Sequence, residues 1–236
     1  MRAFLLAAGL GTRLRPLTDT TPKCLLPIGG RPLLFHWLDL LERDGVSDVL
    51  INTHHLSEMV AGALALRPSK IKVELFHEPT LLGSAGTIRH NRKYVFGEED
   101  FLVLYADNLT DVSLSRLIEF HRSRGSLFTT YVYETQVPSQ KGIFLIDETT
   151  GKVIDFEEKP RYPKSNLANA GIAIANMEIF DYFIDQIPLD LGFDVMRSLV
   201  GHMYALKSKS YIRDIGTIED YGAAEREWAE RKHSGL

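Results

Sequence analysis

The sequence predicts an α/β protein built on a mostly parallel sheet with helices on both faces. Short apolar runs, typical of strands buried on both faces, alternate with segments whose apolar residues recur at helical spacing. The chain has 236 residues, 44% of them hydrophobic, which is enough to bury one large core. It contains no linker, internal repeat or low-complexity tract, so we expect residues 1–236 to form a single domain.

The first half of the chain carries the regular alternation. The apolar residues of segment 33–41 recur at helical spacing, and Pro32 and Gly45 bound it, as expected at a helix start and end. We predict strands at residues 2–8, 48–53, 71–76 and 101–106 and helices at residues 33–41, 57–66 and 85–94. This order predicts a Rossmann-like sheet whose ligands bind at the carboxyl ends of the strands.

The second half is less regular and predicts a small antiparallel extension. Residues 142–146 and 153–158 form a predicted hairpin around a turn at residues 147–151. The other predicted elements are strands at 127–134, 168–175 and 203–208 and helices at 114–121, 177–186, 193–199 and from about 217.

Charge and cysteine content narrow the class of partner. The net charge is −4, yet residues 1–31 hold five cations against one acid, which favours a small anionic ligand and argues against nucleic acid. Cys24 is the single cysteine, so no intramolecular disulfide forms. The apolar run at residues 4–10 is too short to span a membrane, and no targeting signal is evident. We therefore expect a cytoplasmic protein without a membrane partner.

Residues 5–27 predict a glycine loop that holds phosphates. Gly9 and Gly11 let the backbone turn sharply and approach a ligand, and cations follow directly. Prolines punctuate this segment, which favours an ordered loop over a helix. A dinucleotide fingerprint would need glycine in place of Leu14, and a P-loop would need Gly-Lys-Ser/Thr where Lys23 follows Pro22. A triphosphate held by backbone amides and cations fits the remaining pattern.

This loop resembles the signature of the sugar-1-phosphate nucleotidyltransferases. The matching positions are Gly9, Gly11, Arg13, Pro16, Thr18, Pro22, Lys23 and Pro27. The resemblance implies transfer of a nucleoside monophosphate from a nucleoside triphosphate to a sugar 1-phosphate, with release of pyrophosphate. It assigns catalytic roles to Arg13 and Lys23. It also places Leu6, Ala8, Gly9, Gly11 and Thr12 at the nucleotide.

The same resemblance implies a metal site and a sugar site. Asp107 follows a predicted strand and Asp214 precedes the last predicted helix, and they match the family's ligands for Mg²⁺. By the same resemblance, the sugar-phosphate residues in the antiparallel extension are Gly142, Glu158, Lys159 and Asn169. Lys141 stands where the family often has tyrosine, which leaves the sugar open.

The segment around Gly83, Ser84 and Ala85, with Glu78 upstream, resembles the base-reading segment of guanylyltransferases. It favours GTP, with mannose 1-phosphate or D-glycero-D-manno-heptose 1-phosphate as acceptor. The open alternatives are UTP or dTTP with N-acetylmuramate (MurNAc) or glucose 1-phosphate, a phosphorylated alcohol as acceptor, or a non-catalytic relative that binds nucleotide sugars. The chain resembles the catalytic domain alone, without the family's C-terminal left-handed β-helix. A homo-oligomer remains possible.

Overall fold

The computed structural model describes residues 1–233 and confirms the predicted α/β class. The strands are β1 (Arg2–Leu6), β2 (Pro27–Ile28), β3 (Arg31–Pro32), β4 (Asp48–Thr53), β5 (Lys72–His77), β6 (Asp100–Tyr105), β7 (Asn108–Thr110), β8 (Phe128–Glu134), β9 (Gly142–Ile146), β10 (Val153–Glu158), β11 (Leu167–Asn176), β12 (Met203–Lys207) and β13 (Ile212–Asp214). The helices are α1 (Leu17–Thr20), α2 (Leu33–Arg43), α3 (Ser57–Ala65), α4 (Ser84–His90), α5 (Leu114–Arg124) and α6 (Ile218–His233).

Within the described residues, nine strands form the central sheet. Strands β5, β4, β1 and β6 pair in parallel in that order, as the alternation predicts. Their carboxyl ends share one edge of the sheet, so the segments that follow β1, β4 and β6 lie side by side. Strand β11 then pairs antiparallel with β6, β8 and β9, the hairpin partner β10 adds to β9, and β12 runs parallel to β8.

Apolar residues cover both faces of this sheet, which explains the nearly continuous apolar strands. In β1, Ala3 and Leu5 point into one core with Trp37 of α2, whereas Phe4 points into the opposite core with Phe101. Side chains alternate between faces along a strand, so both faces must be apolar when both are covered. No helix in the described part of the chain combines the length and apolar character needed to cross a membrane.

Two predicted helices are wrong in type. Segment 177–186 contains a 3₁₀ turn at Met177–Tyr182, and segment 193–199 is replaced by a π turn at Leu191–Val195 and a 3₁₀ turn at Met196–Leu199. The Asn176 side chain accepts a backbone N–H at the first turn, and the Asp190 side chain accepts two at the π turn. These local side-chain bonds compete with a regular helix.

Short elements also appear where the sequence predicted none. The segment after Gly11 contains short helical turns at Thr12–Leu14, Leu17–Thr20 and Lys23–Leu25 instead of a plain loop. A second unpredicted element is the antiparallel ribbon of β7 and β13, in which Asn108 lies opposite Asp214. Strands of three residues carry too little periodicity to be recognised in a sequence.

Candidate functional site

Two clefts meet at the carboxyl edge of the parallel strands. The first cleft, of about 280 Å³, is lined by the ends of β1 and β4, the loop after β1 and the start of α4. The second cleft, of about 500 Å³, is lined by β9, β10, β11 and the β7–β13 ribbon. Both are lined by Tyr105, Asp107 and Asp190, so these residues form the junction between the clefts. A ligand in each cleft would therefore meet its neighbour at Asp107.

The glycine loop is fixed by a contact that only glycine allows. Gly11 has a φ of +63°, and a Cβ there would lie 2.8 Å from Cγ2 of Thr18. The Thr18 hydroxyl donates to the Gly11 carbonyl at 2.8 Å, and the Thr18 carbonyl lies 3.0 Å from Nε2 of His55. A side chain at position 11 would be strained by both the backbone angle and this contact. The turn therefore holds the loop over the first cleft.

The predicted catalytic cations converge on the predicted metal ligands. The Lys23 ammonium donates to Oδ2 of Asp107 at 2.7 Å and lies 3.6 Å from Oδ1 of Asp214. A Cβ on Gly216 would lie 3.0 Å from Oδ1 of Asp214 and 3.1 Å from a guanidinium nitrogen of Arg13. Arg13 and Lys23 thus both lie beside the carboxylate of Asp214. Lys23 also pairs with Asp107, which is 84 residues away in the sequence.

The environment of Asp214 suits a cation ligand. Burial alone would raise the pKa of this carboxyl, but Lys23, Lys141 and Arg13 together hold the pKa below its usual range, so it is ionised. Oδ1 is buried and accepts no hydrogen bond, although Lys23 is near. The described residues contain no group of three or more acidic, histidine or cysteine side chains placed to hold a metal. Two carboxylates suit Mg²⁺, which takes its other ligands from phosphates and water.

All four predicted sugar-phosphate residues line the second cleft. A Cβ on Gly142 would lie 2.5 Å from Oε2 of Glu158, so only glycine lets this carboxylate lie against the β9 backbone. Burial raises the pKa of Glu158, with a further rise from nearby Asp190, while Lys159 and Lys141 oppose both. A partly buried carboxylate of this kind can accept hydrogen bonds from the hydroxyl groups of a ligand in the cleft.

The other two predicted sugar-phosphate residues, Lys159 and Asn169, are held by local geometry. Lys159 has a φ of +49°, which is uncommon for a residue with a side chain, and residues strained in this way cluster at functional sites. Its ammonium lies 5.2 Å from the centre of the Phe193 ring. Oδ1 of Asn169 accepts from the Thr130 hydroxyl at 3.0 Å and from the Gly171 amide at 3.1 Å. These bonds fix the Asn169 amide against the cleft wall.

The predicted base-reading segment is anchored to the turn after Pro188. Gly83 has a φ of +81°, and a Cβ there would lie 2.4 Å from the Leu189 carbonyl oxygen. The Ser84 hydroxyl donates to Oδ2 of Asp190 at 2.9 Å and accepts from the Leu191 amide at 2.7 Å. Gly83 and Ser84 line the first cleft, whereas Ala85 is fully buried in the core. Gly11 and Thr12 also lie outside the cleft lining.

Glu78 lines the first cleft, but its carboxylate is largely occupied by the protein. Oε1 accepts from the Asn52 amide at 2.8 Å and from the Thr87 hydroxyl at 2.5 Å, and Oε2 accepts from the Leu82 amide at 3.0 Å. Oδ1 of Asn52 in turn accepts from the Ala7 amide at 2.7 Å. This buried network links the glycine loop to the base-reading segment.

Sequence reasoning missed several residues that build the site. Asn52 is a buried polar residue within an otherwise apolar strand, and that break in the pattern was a usable signal. Lys141 donates to Oδ2 of Asp214 at 2.7 Å, and Asp190 joins the two clefts. The sequence marks Lys141 only as a departure from the family's tyrosine and gives no signal for Asp190, because both roles depend on contacts between distant segments.

Comparison with known proteins gives consistent matches. The family model described as nucleotidyl transferase matches residues 2–231. The chain is 33% identical over 227 residues to a probable mannose-1-phosphate guanylyltransferase 1 of Oryza sativa subsp. japonica, covering 94% of this chain and 63% of that protein. It is 32% identical over 246 residues to a UTP–glucose-1-phosphate uridylyltransferase of Synechocystis sp., covering 96% of this chain and 63% of that protein.

A solved structure agrees with the fold over nearly the whole chain. HddC from Yersinia pseudotuberculosis, complexed with GMP-PN, superposes with a TM-score of 0.80 at 26% identity, covering 96% of this chain and 99% of that one. The chain spans about 63% of the length of the two curated relatives.

Proposed function

The chain belongs to the nucleotidyl transferase family, and from this premise we propose that it transfers a nucleoside monophosphate to a sugar 1-phosphate with release of pyrophosphate. The observation that carries the proposal is the junction of the two clefts. Arg13, Lys23, Asp107 and Asp214 meet there, between a cleft that suits a nucleotide and a polar cleft that suits a sugar. In this reaction the sugar phosphate must reach the α-phosphate of the nucleotide, and the junction is where a ligand in one cleft can meet a ligand in the other.

In this reaction the sugar phosphate is the nucleophile. One of its oxygens forms a bond to the α-phosphorus of the triphosphate, and the bond from that phosphorus to the oxygen shared with the β-phosphate breaks, so that this oxygen leaves with pyrophosphate. A phosphate monoester has a second pKa of about 6, so its oxygen is already ionised at neutral pH and no general base is needed. Arg13 and Lys23 would hold the charge that develops on the α-phosphate and the leaving pyrophosphate.

Nucleotidyltransferases of this family generally use a divalent metal, and we propose Mg²⁺ here. Asp107 and Asp214 would hold it, and it would supply positive charge at the phosphates. The buried Oδ1 of Asp214, which accepts no hydrogen bond, supports this assignment. Lys23 lies 2.7 Å from Oδ2 of Asp107 and 3.6 Å from Oδ1 of Asp214, and it helps to hold the pKa of Asp214 below its usual range.

We propose GTP as the nucleotide and a manno-configured sugar 1-phosphate as the acceptor. The rice relative named as a mannose-1-phosphate guanylyltransferase and the HddC complex with GMP-PN support GTP. Glu78 would act on the base indirectly, because its carboxylate holds Leu82 and Asn52 beside the cleft. The uridylyltransferase relative keeps UTP as the second candidate.

The test is a pyrophosphate-release screen of GTP, UTP, dTTP and CTP against a panel of sugar 1-phosphates. We expect GTP to give the highest kcat/KM with mannose 1-phosphate or manno-heptose 1-phosphate. A preference for UTP or dTTP would contradict the base assignment and leave the reaction class intact. No release with any pair, together with tight binding of nucleotide sugars in calorimetry, would favour a non-catalytic relative instead.

A further inference from the structure

Lys141 is a cation of the second cleft that the sequence reasoning gave no role. It directly precedes β9, and its ammonium donates to Oδ2 of Asp214 at 2.7 Å. The side chain is 22% exposed, and its residue lines the second cleft beside Gly142 and Glu158. A half-buried ammonium that faces a cleft can meet a bound anion without leaving its position in the fold.

Lys141 and Lys23 contact the same carboxylate from the two clefts. Lys23 lines the first cleft and lies 3.6 Å from Oδ1 of Asp214, whereas Lys141 lines the second cleft and contacts Oδ2. Asp214 therefore lies between one lysine of each cleft. The assigned role of Lys23 is to bind the phosphate that enters through the first cleft. Lys141 has the equivalent position for an anion that enters through the second.

Lys159, the lysine that resemblance assigns to the sugar phosphate, is engaged by an aromatic ring. Its ammonium lies 5.2 Å from the centre of the Phe193 ring, and Phe193 is 60% exposed at the cleft rim. Among the ion pairs of the described residues, none joins Lys159 to Asp107 or Asp214. Lys141 is thus the lysine of the second cleft that reaches the junction where the phosphates must react.

We propose that Lys141 is a catalytic residue that binds the phosphate of the incoming sugar 1-phosphate at the junction of the clefts. This inference rests on the proposed function. In the structure, Asp214 holds the Lys141 ammonium in place. When the substrate binds, one or more of the three N–H donors of Lys141 would turn to the phosphate. An ammonium paired with a dianionic phosphate forms charge-assisted hydrogen bonds, so the contact favours the phosphate over the sugar ring.

The test compares Lys141→Met with Lys141→Arg, using Lys207→Met as the matched control. Lys207 pairs with Glu148 and lines neither cleft. The acceptor is the sugar 1-phosphate selected by the pyrophosphate screen. We expect Lys141→Met to raise its KM at least tenfold while leaving the KM of the nucleotide within twofold. We expect Lys141→Arg to retain most of the affinity and Lys207→Met to match the wild type.

A second readout measures binding without turnover. In a ³¹P NMR titration in EDTA, Lys141→Met should weaken the binding of the sugar 1-phosphate, and the unphosphorylated sugar should not distinguish the variant from the wild type in a proton NMR titration. If Lys141→Met does not fold by circular dichroism, the folded Lys141→Gln variant replaces it in the same comparison.

Three results are distinguishable. An unchanged KM for the sugar 1-phosphate in an active Lys141→Met enzyme overturns the inference and leaves the proposed function standing. A changed affinity for Mn²⁺ without a change in sugar 1-phosphate binding also overturns it, because Lys141 would then act on Asp214 alone. A wild-type enzyme that releases no pyrophosphate with any pair overturns the proposed function and this inference with it.

Discussion

Lys23 is the side chain on which both carboxylates of the junction converge. We expect Lys23→Ala to lower kcat about 100- to 1000-fold, the effect of removing one preorganised donor from developing charge. Arg15→Ala is the matched control, because Arg15 is in the same loop, is largely exposed and pairs only locally with Asp19 among the described ion pairs. Initial rates at saturating substrate check this, with circular dichroism to verify the fold. An unaltered kcat would remove Lys23 from the site.

The two carboxylates of the junction give a second prediction at the residue scale. We expect Asp107→Asn and Asp214→Asn each to lower activity at least about 100-fold, because a neutral amide is a poorer ligand for a hard cation. Electron paramagnetic resonance with Mn²⁺ should detect weaker metal binding in both variants and normal binding in Asp19→Asn, whose carboxylate is exposed. Full activity of the wild type in excess EDTA would contradict a metal-dependent reaction.

At the scale of elements, Gly83 fixes the start of α4 against the chain after Pro188. Gly83→Ala should lower the free energy of unfolding by more than about 2 kcal/mol, because it adds backbone strain and a contact of 2.4 Å with the Leu189 carbonyl. Gly97→Ala is the matched control: its φ is +89° but a Cβ there would meet no atom within 4 Å. Urea denaturation checks both variants. Equal losses of stability in Gly83→Ala and Gly97→Ala would mean that the backbone at Leu189 moves away from the added Cβ without a cost in free energy.

A buried histidine ties α5 to two strands. Nδ1 of His121 lies 2.9 Å from the Thr129 hydroxyl on β8, and Nε2 lies 3.3 Å from Oδ1 of Asp100 on β6. Burial lowers the pKa of His121, Asp100 opposes that effect by ion pairing, and Arg122 adds to the lowering. The unfolded chain then binds a proton more readily than the folded one.

Stability should therefore fall as the pH drops below about 6.5, the ordinary histidine pKa, and become level again below the folded pKa. The difference in free energy of unfolding between the wild type and His121→Gln should be constant above pH 7 and shrink below 6.5. Urea denaturation at several pH values measures it. A difference that grows on acidification would mean that the Asp100 ion pair dominates.

The sequence was informative for elements that bury a periodic apolar pattern. The parallel strands and α2 were predicted at or near their bounds, because covered faces demand continuous or helical apolar patterns. Segment 177–199 was not predicted correctly, because the side chains of Asn176 and Asp190 cap its turns locally.

The predicted site residues of the glycine loop came from a dense local sequence pattern. Lys141 and Asp190 could not be found, since their partners Asp214 and Ser84 lie 73 and 106 residues away.

At the scale of the whole molecule, the sheet separates two apolar cores. The two tryptophans of the chain, Trp37 and Trp228, both belong to one of these cores. We expect the chain to unfold as one unit in urea, with coincident transitions in tryptophan fluorescence and far-ultraviolet circular dichroism, because β1, β4, β6 and β11 each contribute to both cores. A separate step in circular dichroism without a change in fluorescence would contradict the single domain over residues 1–236.

The hydrogen bond between Ser84 and Asp190 has a consequence for how the two clefts respond to substitution. Asp190 also accepts hydrogen bonds from the amides of Gly192 and Phe193, so the proposed base-reading segment and the segment at the rim of the second cleft share one anchor. A double-mutant cycle between Ser84→Ala and Asp190→Ala should accordingly give a non-zero coupling energy. A substitution that reshapes the first cleft at Ser84 would then also displace the rim of the second cleft at Phe193.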